Sequence, residues 1–342
     1  MAPGNLSFLL ATVLQLWSVS PILFPEENIR MVDRKRRPWA DLFWGVGWLF
    51  LLVGCRSAVE TGRPRIVASL FPLYEFALEV GGDRAEVSLL LPPGVEPHAW
   101  EPKASDLVAI SRSDLFLCVS ENLEPWVTDV VRGVGHDGLR VLAAAEGLEG
   151  HDDEALHGHG DKEGEARDPH VWLDLSYDQG IVTRIAQALS SIDPENGDYY
   201  RGNAVSYNER LRALDRKYRE ALAACRHHTL VLGGHSAFSY LARRYGLEEI
   251  PLYGVSADSQ PTPRRLAEVV EIARDLKVQY IFFETLVSPK LARVVAEEIG
   301  AQTLILNPGA NMSKEQFDRG VTFLSILEEN LENLRKGLEC EG

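Results

Sequence analysis

The sequence predicts an α/β fold of two lobes, each a mainly parallel sheet flanked by helices, joined by one long rigid helix. Three observations predict it. Short apolar runs of strand length alternate with helical stretches in both halves of the 342-residue chain, and that alternation is the mark of parallel sheets. Between the two series lies 196–224, where Tyr207, Leu211, Leu214, Tyr218 and Leu222 recur at helical spacing with charged residues on the other face. About 28 residues at 1.5 Å each make a rod on the order of 40 Å, long enough to hold two lobes in a fixed relation. Finally, His98, His170 and His235 each follow an apolar, strand-like run and stand in a turn or at a helix start.

In chain order, 1–54 reads as an export signal. Arg34, Lys35, Arg36 and Arg37 precede an apolar stretch at 39–54 that ends in Leu52-Val53-Gly54-Cys55. A basic segment, a short apolar segment and a small residue at the cut describe a secretory signal. The stretch is shorter than the ~20 residues a spanning helix needs. Its end resembles a bacterial lipobox, in which the cysteine, here Cys55, becomes the lipidated first residue. Met31 stands just before the basic cluster, and the apolar run at 6–24 has no basic residue ahead of it, so 1–30 reads as an over-extended start. Residues 55–64 then form a lipidated tether.

The first lobe is assigned to 65–195. Strand-like runs at 65–70, 84–91, 114–119 and 139–143 alternate with helical stretches at 72–80, 103–111 and 124–133. An acidic loop at 146–168 carries His151, His157 and His159 and almost no large apolar residue, so it can bury little surface. The helix 196–224 joins this lobe to a second at 225–342. There the strands fall at 229–232, 250–253, 278–283 and 302–306. Thr262-Pro263 and Ser288-Pro289 open helices as cap and first-turn pairs. Ser313 and Gln316 have the spacing of a capping box for one C-terminal helix reaching 336.

The formal net charge of -15 argues against a nucleic-acid partner, since phosphate binding needs a basic face. It is compatible with cations. With Cys55 lipidated, Cys118, Cys225 and Cys340 remain, which allows at most one internal disulfide. Cys118 lies in the apolar run LFLCV and reads as a buried thiol. A Cys225–Cys340 bridge is compatible with the sequence but does not follow from it.

The histidines carry the chemistry. Ligands of open α/β sheets bind beyond the carboxyl ends of the strands, and neutral imidazole is the commonest protein metal ligand. His98 and His170 belong to the first lobe and His235 to the second, so a transition metal between the lobes is expected. The end of the last strand, at Asn307, is the fourth candidate. Glu284, ending VQYIFFE, shares that edge and is placed either against a ligand histidine or as a cap near Ser288. Glu101 either orients His98 or is exposed. Trp100 and Trp172 read as packing anchors. Gly233-Gly234 lacks a following Lys-Ser/Thr and is not a phosphate loop; it lets backbone approach the cleft. Three histidines with an open position also describe hydrolytic zinc, but no H-E-x-x-H is present and Glu284 is the one obvious base, which disfavours an enzyme.

The segments PHAWEP, DPHVWLDL, GGHSAFSYLARRYGL and FFETLVSPKLARVVAEEIGA, which order nearly all of 64–340, resemble the zinc/manganese solute-binding lipoproteins of ABC importers, cluster A-I. The resemblance implies an exported, membrane-anchored monomer that captures Zn²⁺ between two lobes and delivers it to a permease in the cytoplasmic membrane with its ATPase. It carries His98, His170 and His235 over as ligands. The family's fourth ligand is commonly an aspartate, at the position aligned with Asn307. The amide leaves that bond to the Asn307 carbonyl oxygen, to water, or to a side chain of the acidic loop. Three neutral histidines without an anionic ligand favour zinc; a Mn²⁺-binding member is the alternative. The loop histidines His151, His157 and His159 are expected to help gather metal. An adhesin or metallochaperone without a transporter is the remaining rival.

Overall fold

Two strands of the first sheet are apolar on both faces: β1 (Arg65–Ala68) and β3 (Leu115–Cys118) are buried nearly throughout. Such runs belong at the centre of a parallel sheet covered on both sides. β2 (Glu86–Leu89) and β4 (Arg140–Ala143) are partly exposed and form the edges, in the order β2-β1-β3-β4, all parallel. α1 (Phe71–Gly81), α2 (Ala104–Ser111) and α3 (Val127–Val134) connect them. The computed structural model describes residues 62–148, 168–255, 261–286 and 288–341. The export signal, Cys55 and His151, His157 and His159 lie outside the described residues.

The second sheet repeats this plan. β5 (Thr229–His235) is buried along almost its whole length and sits inside the order β6-β5-β7-β8, again all parallel. Its partners are β6 (Glu248–Tyr253), β7 (Tyr280–Phe283) and β8 (Gln302–Ile305). The connections are α6 (Ser239–Arg244), α7 (Pro263–Asp275) and α8 (Lys290–Ile299). In both sheets the strand order reverses at the centre, between β1 and β3 and between β5 and β7. Beyond the strand ends at such a reversal an open sheet leaves a crevice.

α4 (Leu175–Ile192) and α5 (Gly197–Leu222) lie between the sheets in sequence. The stripe Tyr207, Leu211, Leu214, Tyr218 and Leu222 of α5 is buried. It joins residues of both sheets and of the C-terminal helix in one apolar cluster, from Ile66 and Leu117 to Leu232, Phe282 and Leu334. The long helix is thus a shared wall of two lobes, not a bare rod. Its hydroxyls bind across that wall. Tyr218 donates to the Leu327 carbonyl at 2.5 Å, and Tyr207 donates to Glu75 at 3.1 Å. On the polar side, Arg244 of α6 grips Asp215 of α5 with two nitrogens at 2.8 Å and Asp174 at 2.9 Å. Asp174 caps α4, accepting the Ser176 N–H.

Two differences from expectation have physical causes. α4 follows from Leu175, Asp178, Ile181, Val182, Ile185, Ala186 and Leu189, all buried at three- and four-residue spacing. The intervening Gly180 and β-branched residues conceal this stripe in a propensity reading. The C-terminal helix is two helices. α9 (Lys314–Asp318) starts on the expected Ser313–Gln316 capping box. The chain then turns at Gly320 (φ 69°) and restarts as α10 (Phe323–Gly337), capped by Thr322. The restart is held by the Glu75 carboxylate, which accepts the Phe323 N–H at 2.5 Å. Cys225 and Cys340 form a disulfide that ties the end of α5 to the chain after α10, and Cys118 is a buried free thiol.

Leu214→Ala removes packing shared by both lobes and is expected to cost about 2–5 kcal/mol. Denaturant unfolding will show one transition at a lower midpoint; two separated transitions would contradict the shared core. Burial pushes the Glu75 carboxyl up to about 7, against the lowering effect of its Phe323 and Tyr207 hydrogen bonds. The folded chain then holds this proton more tightly than the unfolded chain between roughly pH 4.5 and 7, so the contribution of Glu75 to stability grows as pH falls through that window. Unfolding of Glu75→Gln measured at pH 8 and pH 5 will show a smaller gain on acidification than wild type.

Candidate metal centre

His98, His170 and His235 come from three different connections and meet. His98 sits in a single 3₁₀ turn, Pro97–Ala99, between β2 and α2. Pro97 fixes the first position, and the Glu96 carboxylate accepts the Ala99 N–H at 3.0 Å. His170 follows Pro169 and opens another such turn, Val171–Leu173, ahead of α4. His235 is the last residue of β5, so it leaves the sheet at the point where the strand order reverses. His170 and His235 are only 2% and 3% exposed; His98 is half-buried.

Their Nε2 atoms face one another. His98 to His170 is 3.3 Å, and His235 to His170 is 3.3 Å. All three ligating nitrogens lie within 4.8 Å of one another. A tetrahedral zinc with bonds of about 2.0–2.1 Å needs nitrogens roughly 3.3–3.4 Å apart. The spacing therefore already matches that ion.

Two of the rings are fixed from behind. Nδ1 of His170 meets Asp168 Oδ1 at 2.7 Å, and the same oxygen accepts the His170 backbone N–H at 2.9 Å. Nδ1 of His235 meets the Glu284 carboxylate at 2.8–2.9 Å, and Glu284 Oε1 also accepts the His235 N–H at 3.0 Å. A carboxylate only accepts, so each Nδ1 carries the proton and each Nε2 lone pair is left for an ion. Burial pushes the Asp168 carboxyl up, but the charge and hydrogen bonds of His170 and the Ser239 hydroxyl outweigh it, and its pKa falls below the ordinary value. Burial lowers His235, yet the Glu284 hydrogen bond and charge, with Glu96 and Glu249, raise it overall. Burial, with the charges of His170 and His235, drives His98 down to about 3, so its ring stays neutral.

The cavity at this point is about 20 Å³, room for one ion-sized body. Glu96, Thr285, Leu286, Pro308, Ala310 and Asn311 complete its walls. Asn307 is not among them. Its Oδ1 accepts the Gly309 N–H at 2.9 Å, and its main chain is clasped by Asn330 at 2.7 and 2.8 Å. The end of β8 thus approaches the triad through Ala310 and Asn311, and Asn307 serves the turn. Glu101 is exposed, and the acid that supports the His98 turn is Glu96. Trp172 donates its indole N–H to the Pro308 carbonyl at 2.7 Å, and its ring packs edge-on to His170. Trp100 packs against Trp126.

Sequence reasoning missed Asp168, Glu96 and Glu249. The first two share a readable pattern, an acid and a proline directly before a histidine: Glu96-Pro97-His98 and Asp168-Pro169-His170. Glu249 is visible only in the fold, where it accepts from Ser236 Oγ at 2.7 Å and the Phe238 N–H at 2.8 Å and fixes the turn after His235. Burial pushes its carboxyl up to about 7. Gly234 has a reason of its own: a Cβ there would lie 2.2 Å from Glu284 Oε1.

The profile of the zinc-uptake complex component A, periplasmic (ZnuA), matches residues 66–337. The zinc-binding lipoprotein AdcA of Streptococcus pneumoniae is 35% identical over 300 residues, 86% of this chain and 60% of its own length. The chain thus spans about 60% of that relative. The high-affinity zinc uptake system protein ZnuA of Bacillus subtilis is 34% identical over 314 residues, covering 88% of this chain and 98% of that one. Among solved structures, the Zn(II)-bound ZnuA-like domain of S. pneumoniae AdcA superposes with a TM-score of 0.68 at 33% identity, over 81% of this chain and all of that domain. The matching family and relatives are named for zinc uptake and zinc binding, and the hydrolase alternative is set aside. The chain belongs to the ZnuA family of zinc-uptake solute-binding proteins.

Proposed function

We propose that His98, His170 and His235 hold one Zn²⁺ through their Nε2 atoms where the two lobes meet, and that the chain hands this ion to an ABC permease driven by a cytoplasmic ATPase. The observation that carries the reading is the 3.3 Å spacing of nitrogens whose far sides are held, in two of three rings, by buried carboxylates. Three neutral imidazoles suit zinc; manganese prefers oxygen donors. The fourth position falls to water or to a group at the cavity wall, such as Glu96, and not to Asn307. Cys55 carries the lipid anchor, 55–64 the tether, and 146–168 a metal-gathering loop with His151, His157 and His159. The protein works as a monomer on the outer side of the cytoplasmic membrane.

The first test is metal content and competition binding on residues 61–342, which form one compact unit. One tightly held zinc is expected, not displaced by excess manganese. Each of His98→Ala, His170→Ala and His235→Ala will weaken it. Failure of all three substitutions to alter binding would remove the site. Preference for manganese would move the chain to the alternative cargo.

Glu284→Gln keeps the shape of the His235 contact and removes its charge. Loss of such a partner typically costs about 10–100-fold in metal affinity. Gly234→Ala pushes the same carboxylate away and is expected to weaken zinc to a similar extent. Competition titration against a zinc chromophore measures both; unchanged affinity in both variants would show that Glu284 does not support the ligand.

A further inference from the structure

A second cavity shares no wall residue with the histidine cluster. It is a groove of about 540 Å³ that runs along α1 and is closed by the N-terminal part of α5 and by the turn between α9 and α10. That volume suits a small organic molecule. We propose that this groove is a ligand site for a small organic ammonium ion with an apolar body, because aromatic rings and carboxylates line it together and, among the described residues, no lysine or arginine does. The site is separate from the metal centre and does not depend on the zinc-binding reading.

The fold builds this groove from particular residues. The chain breaks between α9 and α10 at Gly320 (φ 69°), which leaves Gly320, Val321 and Thr322 as one wall where a continuous helix would have run on. The break also sets Phe317 of α9 against Tyr74 of α1, with ring centroids 6.1 Å apart, and Phe71 lies 6.4 Å from Tyr74. At the other end Tyr199 of α5 lies over Gly82. A Cβ on Gly82 would collide with the Tyr199 hydroxyl, and that hydroxyl donates to Asp83 at 2.9 Å. Tyr199 is thus an exposed ring that its surroundings hold in place.

Charge selects the class of ligand. Glu75 and Glu79 of α1 line the same groove. Glu75 is buried, and the partners of its two oxygens are neutral, the Tyr207 hydroxyl and the Phe323 N–H. A buried carboxylate without a cation carries a desolvation cost, which a cation beside it offsets. Glu79 meets Arg210 at 2.9 Å and Asp83 meets Arg84 at 3.4 Å, but all four side chains are at least one-third exposed. Exposed pairs of this kind are worth little, so they do not satisfy the groove's need for positive charge. The faces of tyrosine and phenylalanine attract an organic cation as well, more strongly once it is desolvated. An anion is repelled by the same carboxylates, and a neutral molecule leaves Glu75 as it is. A cation seated here touches α1 of the first lobe, α5, and the α9–α10 turn of the second lobe.

The probe is benzyltrimethylammonium, which has no lone pair on nitrogen and so cannot ligate a metal. Amide NMR of isotopically labelled residues 61–342 will show saturable shifts in α1, at the start of α5 and at 320–322. Benzyl alcohol, a neutral counterpart, and phenylacetate, an anion, will each bind at least ~3-fold more weakly. Tyr74→Leu and Phe317→Leu keep apolar bulk and remove a ring face, and each will weaken the cation at least ~3-fold and by more than it weakens benzyl alcohol. Glu79→Gln, a change at a partly exposed position, will weaken the cation alone. The proposal is overturned if the groove amides do not shift, if the three probes bind equally well, or if variants with native spectra bind the cation unchanged. Shifts of the same amides with protein concentration, in the absence of any probe, would mean that a second copy covers the groove and would overturn it too.

Discussion

One interaction recurs where this site needs rigidity: a buried carboxylate that accepts from a histidine ring and from the same histidine's main chain. Asp168 does this for His170 and Glu284 for His235. It settles the tautomer, aims Nε2 and leaves a negative charge behind each of these two rings. Buried carboxylates are costly unless they are hydrogen-bonded, and the fold meets that cost with a serine hydroxyl for Asp168 and with a glycine that makes room for Glu284. The convergence of the histidines is thus an outcome of how carboxylates are housed beside them.

The rest of the fold brings those ends together and keeps them together. Two parallel sheets of the same order present their reversal points, and α5 gives them a common apolar wall. The contacts that cross between lobes are specific: Glu75 to the start of α10, Trp172 to Pro308, Asn311 to the loop after β2, Asp168 to α6. The Nε2 atoms of His98 and His235 each lie 3.3 Å from that of His170, although the three residues come from a 3₁₀ turn, a turn ahead of α4 and a strand end.

Much of this was legible in the sequence. Alternating strand and helix patterns gave both lobes, the α5 stripe was read residue by residue, and the three histidines stood out by their place in turns and at helix starts. What was not legible depended on distance in space. The role of Asp168 needs the position of Ser239, 71 residues later. The break between α9 and α10 needs Glu75, 248 residues away from Phe323 in sequence. Asn307 was singled out by strand position, but a turn of two residues spends its side chain on Gly309 and carries Ala310 and Asn311 to the cavity instead. Local patterns place a ligand on a strand end; they do not say which of three neighbouring residues faces inward.

The central claim is that three imidazoles bind zinc through pre-aimed Nε2 atoms. X-ray absorption at the zinc edge on the one-to-one complex tests it most directly. The structure predicts three imidazole nitrogens at about 2.0–2.1 Å with one further light donor, in four-coordinate geometry. A six-coordinate shell of oxygens, or fewer than three imidazoles around the ion, would contradict it.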